Sequence, residues 1–358
     1  MPASTDRIGV AIVGYGLAGS VFHAPLIAAN PDLELVSVVT ANPERTAQAK
    51  AAHPGVRIHP SVEELWSDAG AHDLVVVAAP NRAHVPVALG ALDAGLHVVV
   101  DKPFAPTSAD ARRIASAAAD RGLVLTVFQN RRLDGDFLTL RRLIGEGALG
   151  QPFRFESRYE RWRPELRGDA WRERADPEEA GGVLFDLGSH RVDQANHLVG
   201  APTLVYAEVE RRRPGAEVDD DVFIALTHPG NVRSHLWASL VSGSLGPRFR
   251  LLGLAGAFEK HGIDGQEDQL VAGIGPEHPE YGREPKERWG LLVAGEEATP
   301  VETERGAYPR FYEGVVDAIR TGAPPPVTPA EAVLTIEVLE AARESARTGK
   351  VVKVPAAS

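Results

Sequence analysis

The sequence predicts an α/β protein: a doubly wound parallel sheet at the N-terminus, then a C-terminal α+β domain on a large, mostly antiparallel open sheet. Three observations carry this. Short apolar runs alternate with helical patterns over the first third, and a glycine-rich turn follows the first of those runs. After about residue 150 the rhythm changes to longer strand-like stretches separated by Pro/Gly turns. A chain of 358 residues suits two domains, placed here at 1–125 and 126–358.

In the first domain, strands are expected at Ile8–Val13, Leu33–Thr40, Val56–His59, Leu74–Ala79, Leu96–Val100 and Leu123–Phe128. Leu74–Ala79 is apolar without alternation, the pattern of a strand buried on both faces. Helical stretches fall at Ser20–Ala29, Arg82–Ala94 and Ser108–Arg121, the last with Ser108 as its N-cap. In the second domain Phe153–Tyr159 alternates apolar and polar residues as a half-buried strand does. Thr203–Val209, Asp221–Thr227, Val232–Val241 and Arg248–Ala255 follow, with turns at Pro214-Gly215, Pro229-Gly230 and Gly246-Pro247. One helix, Gly182–Leu198, precedes those four strands. Gly262–Gly306, rich in Gly, Pro and Glu, reads as long surface loops. Helices near Pro309–Arg320 and Pro329–Thr348 close the chain. In the first of these, Phe311, Val315 and Ile319 recur at i, i+4 and i+8, a core stripe.

Composition removes whole classes of function. With no cysteine there is no disulfide, thiolate metal site or cysteine nucleophile. The balance of 38 basic against 49 acidic residues, net −11, argues against general binding to nucleic acid or anionic membrane. The N-terminus lacks a signal-peptide pattern, and no run approaches the ~18 apolar residues of a membrane helix. The expectation is a cytoplasmic protein.

Gly14-Tyr15-Gly16-Leu17-Ala18-Gly19 is a complete G-x-G-x-x-G directly between a strand and a helix. Gly14 permits the tight turn, Gly16 lets a pyrophosphate approach the backbone, and Gly19 allows close helix–strand packing, with the helix N-terminus facing the anion. This is the Rossmann dinucleotide loop. At the end of the second strand no acid occupies Thr40, Ala41 or Asn42, where a carboxylate would accept from the adenosine ribose of NAD. Arg45 is close enough to pair with a 2′-phosphate, and Thr40 and Asn42 can donate to the same group. NADP is favoured; NAD stays open if Glu44 or backbone amides serve the ribose.

Two further motifs carry chemistry. Asp101-Lys102-Pro103-Phe104 puts a lysine at the C-terminal end of a parallel strand, where such sheets bind ligands. The bland alternative is a surface lysine. In Gly181-Gly182-Val183-Leu184-Phe185-Asp186-Leu187-Gly188-Ser189-His190, Asp186 and His190 are i and i+4 on one helix face, with Asp193 and His197 close to the same stripe. An imidazole exchanges a proton near neutral pH, and a carboxylate beside it holds hydroxyls or orients the ring. A structural polar stripe is the competing reading. A metal set of Asp186, His190 and His197 is disfavoured by its seven-residue final gap, so no metal is expected. Arg211-Arg212-Arg213 reads as a solvated hairpin end, and Arg158, Arg161 and Arg163 as a charged surface strand ahead of an anion site.

At these residues the chain resembles the Gfo/Idh/MocA family of nicotinamide-dependent sugar and polyol oxidoreductases. The resemblance runs through nearly the whole chain on the Gly14–Gly19 loop, Ala79-Pro80-Asn81 with His84, Asp101-Lys102-Pro103, and Gly181-Gly182 leading to Asp186 and His190. Asp101 replaces the family's commoner glutamate. Phe128-Gln129-Asn130-Arg131-Arg132, Trp162-Arg163-Pro164 and Trp171-Arg172-Glu173 resemble the NADP-dependent scyllo-inositol dehydrogenase subgroup.

The resemblance implies hydride transfer between nicotinamide and a hydroxyl carbon of a cyclic polyol or sugar, with an inositol as the leading substrate. Lys102, Asp186 and His190 would be catalytic. Pro80, Asn81, His84, Asp101, Lys102 and Asn130 would line the cofactor cleft, and Gln129, Trp162, Arg163 and Trp171 would contact substrate. It also implies a homodimer or homotetramer through the open face of the second sheet. Two alternatives within the family are a catalytically silent cofactor-binding regulator, disfavoured by the presence of Lys102, Asp186 and His190, and an NAD-dependent glycoside hydrolase.

Overall fold

A computed structural model of the chain describes residues 7–166 and 175–355. Six strands form the first sheet: β1 (Ile8–Val13), β2 (Leu33–Val39), β3 (Arg57–His59), β4 (Leu74–Val77), β5 (His97–Val100) and β6 (Leu125–Val127). All neighbours are parallel, in the order β3-β2-β1-β4-β5-β6. The central strands β1 and β4 are buried along their whole length, as the unbroken apolar runs require. The order reverses between β1 and β4, so a crevice opens beyond their carboxyl ends.

The second sheet has nine strands: β7 (Pro152–Glu160), β8 (Leu204–Glu210), β9 (Asp221–Thr227), β10 (Arg233–Ser239), β11 (Phe249–Gly253), β12 (Ala257–Lys260), β13 (Gly290–Ala294), β14 (Glu297–Val301) and β15 (Val352–Lys353). Their order is β14-β13-β12-β11-β7-β10-β9-β8-β15. The sheet is antiparallel except between β7 and β10, which run parallel from Arg154↔Arg233 to Glu160↔Ser239. The helices Gly188–Val199 and Pro329–Thr348 cover one face and share its core with Leu226, Leu236, Ile336 and Leu339. The second helix opens with a capping box, Thr328 Oγ1 accepting from Glu331 N while Glu331 Oε2 accepts from Thr328 N at 2.9 Å. Among the described residues no helix is long and apolar enough to cross a membrane.

Several expectations need correction. Helix Ser108–Arg121 is capped by Thr107, whose Oγ1 accepts from Asp110 N at 3.1 Å, so Ser108 is its first helical residue. The helix after the glycine loop opens with π-helical turns at Ala18–His23 before Ala24–Ala28 becomes α-helical. The Gly182–Leu198 helix is two pieces, Val183–Asp186 and Gly188–Val199, broken at Leu187. Gly262–Gly306 is not surface loop alone. It supplies β13, whose side chains are all apolar, and β14, exposed along nearly its whole length, so neither shows the apolar–polar alternation of a half-buried strand. It also sends buried Asp264 and Gln266 inward, where they accept from Gly135 N (2.8 Å) and Tyr308 N (2.9 Å).

Candidate active site

The glycine loop is built for close approach. Gly14 has φ +95°, and a Cβ there would stand 2.6 Å from the Ala78 carbonyl oxygen. On Gly19 a Cβ would meet the Gly14 oxygen at 2.1 Å. A Cβ on Gly16 would meet nothing nearer than the Arg45 guanidinium, at 3.8 Å. Gly16 therefore faces open space roofed by a cation, the shape a dinucleotide pyrophosphate fills. Asn42 caps the helix Pro43–Ala52 by accepting from Arg45 N at 3.0 Å, and Thr40 Oγ1 accepts from Asn42 N at 3.3 Å. Both side chains thus shape the turn that presents Arg45. Leu17 and Ala18 line the main cavity, whereas the Tyr15 ring turns inward and packs edge-on against His53.

Beyond β4 the expected cleft residues diverge. Pro80 is exposed, while Asn81 is buried and donates from Nδ2 to the Glu179 carbonyl at 2.6 Å. Arg82 Nε adds an ion pair with Glu179 Oε1 at 3.2 Å. His84 does not reach the cleft. Its fully buried ring spans two turns, its nitrogens facing the Pro103 and Ala79 carbonyls at 2.9 and 3.1 Å.

Lys102, Asp186 and His190 converge on one cavity of about 380 Å³, together with Asp101 and Asn130. Lys102 follows β5 and precedes a cis Pro103. Its Nζ donates to Asp186 Oδ1 at 2.7 Å and to the Asp186 carbonyl at 2.9 Å. Asp101 Oδ1 accepts from Lys102 N at 2.8 Å. The His190 ring is buried, with Nδ1 2.9 Å from Gln129 Oε1. A carboxamide oxygen only accepts, so the ring proton sits on Nδ1 and Nε2 keeps its lone pair. Burial first, then the charges of Lys102, Arg131, Arg191 and Arg248, hold the His190 pKa well below the ordinary imidazole value. Gln129, expected to touch substrate, instead stands behind His190 and orients it.

The other stripe residues leave the site. Asp193 is captured by Arg132 in a buried two-pronged pair (Nε–Oδ2 2.8 Å, Nη2–Oδ1 2.6 Å), and His197 lies against Phe137, 3.7 Å from Glu331. Arg163 lines the cavity; Trp162 is 62% exposed, its backbone bridging Val241. Trp171 lies outside the described residues. Arg213 is no solvated hairpin end: it is buried, pairs with Asp220 at 2.9 Å and lines the cavity. Among the described residues, donor atoms of His59, Asp68 and His72 also lie within 4.8 Å of one another. Ser37 Oγ already bonds both imidazoles there, at 3.2 and 2.8 Å.

Arg131, from the Phe128–Arg132 motif, also lines the cavity, and three further polar lining residues belong to no motif of the sequence: Tyr159, Glu267 and Asp219. Asp219 accepts from Leu184 N at 2.6 Å through Oδ2 and from Val183 N at 3.0 Å through its carbonyl. A Cβ on Gly182 (φ +92°) would lie 2.2 Å from Asp219 Oδ1, so glycine is needed there. Burial raises the Asp219 carboxyl to about 6. The visible signals were the Gly181-Gly182 doublet and the run Asp219-Asp220-Asp221 at the head of β9.

A phosphate-cradling glycine loop and a Lys–Asp–His cluster lining one crevice define an oxidoreductase that uses a nicotinamide dinucleotide. The chain belongs to the Gfo/Idh/MocA oxidoreductase family: the family's NAD-binding Rossmann fold matches residues 8–129, and its C-terminal alpha/beta domain residues 141–354. It is a dehydrogenase acting on CH–OH groups. It is 36% identical over 346 residues to scyllo-inositol 2-dehydrogenase (NADP(+)) IolW of Bacillus subtilis (strain 168), covering 96% of this chain and 94% of that one. It is 37% identical over 353 residues to the uncharacterized oxidoreductase YdgJ of Escherichia coli (strain K12), covering 96% and 97%. The solved structure of the putative oxidoreductase yvaA from Bacillus subtilis superposes with a TM-score of 0.91 at 35% identity, covering 98% and 99%.

Proposed function

We propose that the protein is an NADP-preferring dehydrogenase that oxidises one ring hydroxyl of a cyclic polyol or sugar of the inositol type. The observation that carries this is the meeting of Lys102, Asp186 and His190 at one cavity beside the glycine loop. A bound nicotinamide dinucleotide supplies the two-electron hydride acceptor, or donor in the reverse direction. His190, neutral and with Nε2 free of a proton, takes the hydroxyl proton as the carbon–oxygen double bond forms. Lys102 donates to the same oxygen and stabilises its developing negative charge. Asp186 fixes the direction of Lys102 and accepts from a neighbouring hydroxyl. Arg45 over Gly16 supports NADP, as does the NADP(+) that the Bacillus subtilis relative is named for using.

A division near residue 125 would leave the cofactor to the first domain and the substrate wall to the second. The Phe223, His235 and Trp237 rings, grouped on β9 and β10, suit a homo-oligomeric contact of the second sheet. The test of the activity is a screen of inositols, aldoses and sugar lactones with NADP and with NAD, following reduced-nicotinamide absorbance. Turnover of a polyol or sugar with NADP supports the reading. Failure with every such compound and both cofactors would sink it.

A further inference from the structure

Tyr159, near the end of β7, lines the cavity, and four guanidinium groups surround its ring. Arg161 lies 4.7 Å from the ring centroid, Arg191 4.9 Å, Arg131 5.8 Å and Arg248 6.0 Å. Arg131 and Arg161 line the same cavity.

Neutralisation of these cations is uneven. Arg131 reaches Glu267 and Asp134, but burial pushes the Asp134 carboxyl up to about 8, so it supplies little negative charge at neutrality. Arg248 has Asp136 at 3.9 Å and neutral acceptors at Ser157 Oγ (2.7 Å) and Gln194 Oε1 (3.2 Å). Arg191 is 1% exposed, and among the described residues none of its three guanidinium nitrogens has a hydrogen-bond partner. Arg161 donates to the Tyr159 hydroxyl and has no carboxylate partner among the described residues.

Buried charge is costly unless paired, because the surrounding medium screens poorly and water is displaced. A neutral polyol leaves this excess of positive charge uncompensated; an anion completes it. A planar guanidinium fork matches a carboxylate with two parallel hydrogen bonds. We propose that the substrate is a cyclic polyol or sugar bearing a carboxylate, of the uronate type, with Arg161 and Arg131 holding the carboxylate beside Tyr159. This rests on the dehydrogenase reading above, with the reacting hydroxyl at Lys102 and His190.

The experiment is calorimetric titration of the NADPH-loaded protein, in which an alcohol-level ligand binds without reacting. D-glucuronate and D-galacturonate are compared with D-glucose and myo-inositol, at low and at physiological salt, with D-glucose 6-phosphate as the second anion. The expected result is an acid-over-neutral margin of about tenfold or more that shrinks with salt. R161Q loses that margin while keeping NADPH affinity and melting temperature, and R161K recovers part of it. Neutral compounds binding as tightly as the acids would overturn the acidic-substrate proposal and leave the dehydrogenase reading standing. Tighter binding of the phosphate would overturn the carboxylate assignment. A clear margin for the acids, with no NADP or NAD reduced by any of them or by the neutral set, would instead strike the dehydrogenase reading beneath it.

Discussion

Lys102 and Asp186 stand 84 positions apart in the chain, one after a strand of the parallel sheet and the other in the second domain, yet their charged atoms lie 2.7 Å from each other. Their side chains are 17% and 31% exposed, so the pair is set at a cavity wall and not out in solvent. Such a pair aligns the ammonium more than it stabilises the fold.

Removing the proton-handling groups should therefore separate chemistry from binding. His190→Asn and Lys102→Ala are each expected to lower kcat about 10²–10⁴-fold. NADPH affinity, read by fluorescence titration, should stay within a few-fold of the parent. Full turnover by both variants would remove these residues from the mechanism.

The two glycines of the cofactor loop should respond in opposite ways. Gly16→Ala has room for its methyl beneath Arg45, so melting temperature should hold while cofactor affinity drops on the order of tenfold. Gly19→Ala drives a methyl into the Gly14 carbonyl and should cost about 1–3 kcal/mol of stability. Chemical denaturation beside cofactor titration distinguishes the two.

Arg45→Glu tests cofactor choice. Replacing the cation over Gly16 with an anion should weaken NADP by an order of magnitude or more (about 1.4 kcal/mol per tenfold) and spare NAD. An undiminished preference for NADP would show that the 2′-phosphate is read elsewhere.

Acid should destabilise the protein through buried histidines. His228 faces the Gly200 carbonyl and Ser234 Oγ, and burial lowers its pKa to about 4 from 6.5. The unfolded chain takes up the proton first, so stability is intact above pH 6.5 and falls as pH drops toward 4. Between pH 8 and pH 5 this one group contributes a loss of about 2 kcal/mol. His228→Gln should lose that much less over the same range in denaturation measured at both pH values.

Asp193→Ala should be a stability variant and not a catalytic one. It leaves the buried Arg132 with Glu331, 3.1 Å away, as its remaining carboxylate. The expected cost is about 3 kcal/mol, with kcat of the surviving folded enzyme close to the parent value.

Legibility in the sequence followed locality. β1 and β9 begin and end at the residues that hydrophobic patterning assigns, because strand burial is written in consecutive side chains. The glycine loop and the Lys102 and Asp186–His190 motifs were legible for the same reason. Helical periodicity put Asp193 beside His190 but carried no information about Arg132, which arrives from 61 residues away and claims the carboxylate. Tyr159 and Asp219 belong to no short motif; the topology of the nine-stranded sheet brings them to the cavity. Trp162 and His84 show the converse, residue types that suit a site but are held elsewhere by main-chain pairing or by two carbonyls.

The Asn81–Glu179 bond joins the turn after β4 to the segment that leads into Gly182 and Asp186. Arg82 reinforces it from the neighbouring position. The carboxyl end of β4 is thereby tied to main chain only a few residues ahead of Gly182 and Asp186, so the crevice and the approach to the Lys102–Asp186 pair are held by one side chain.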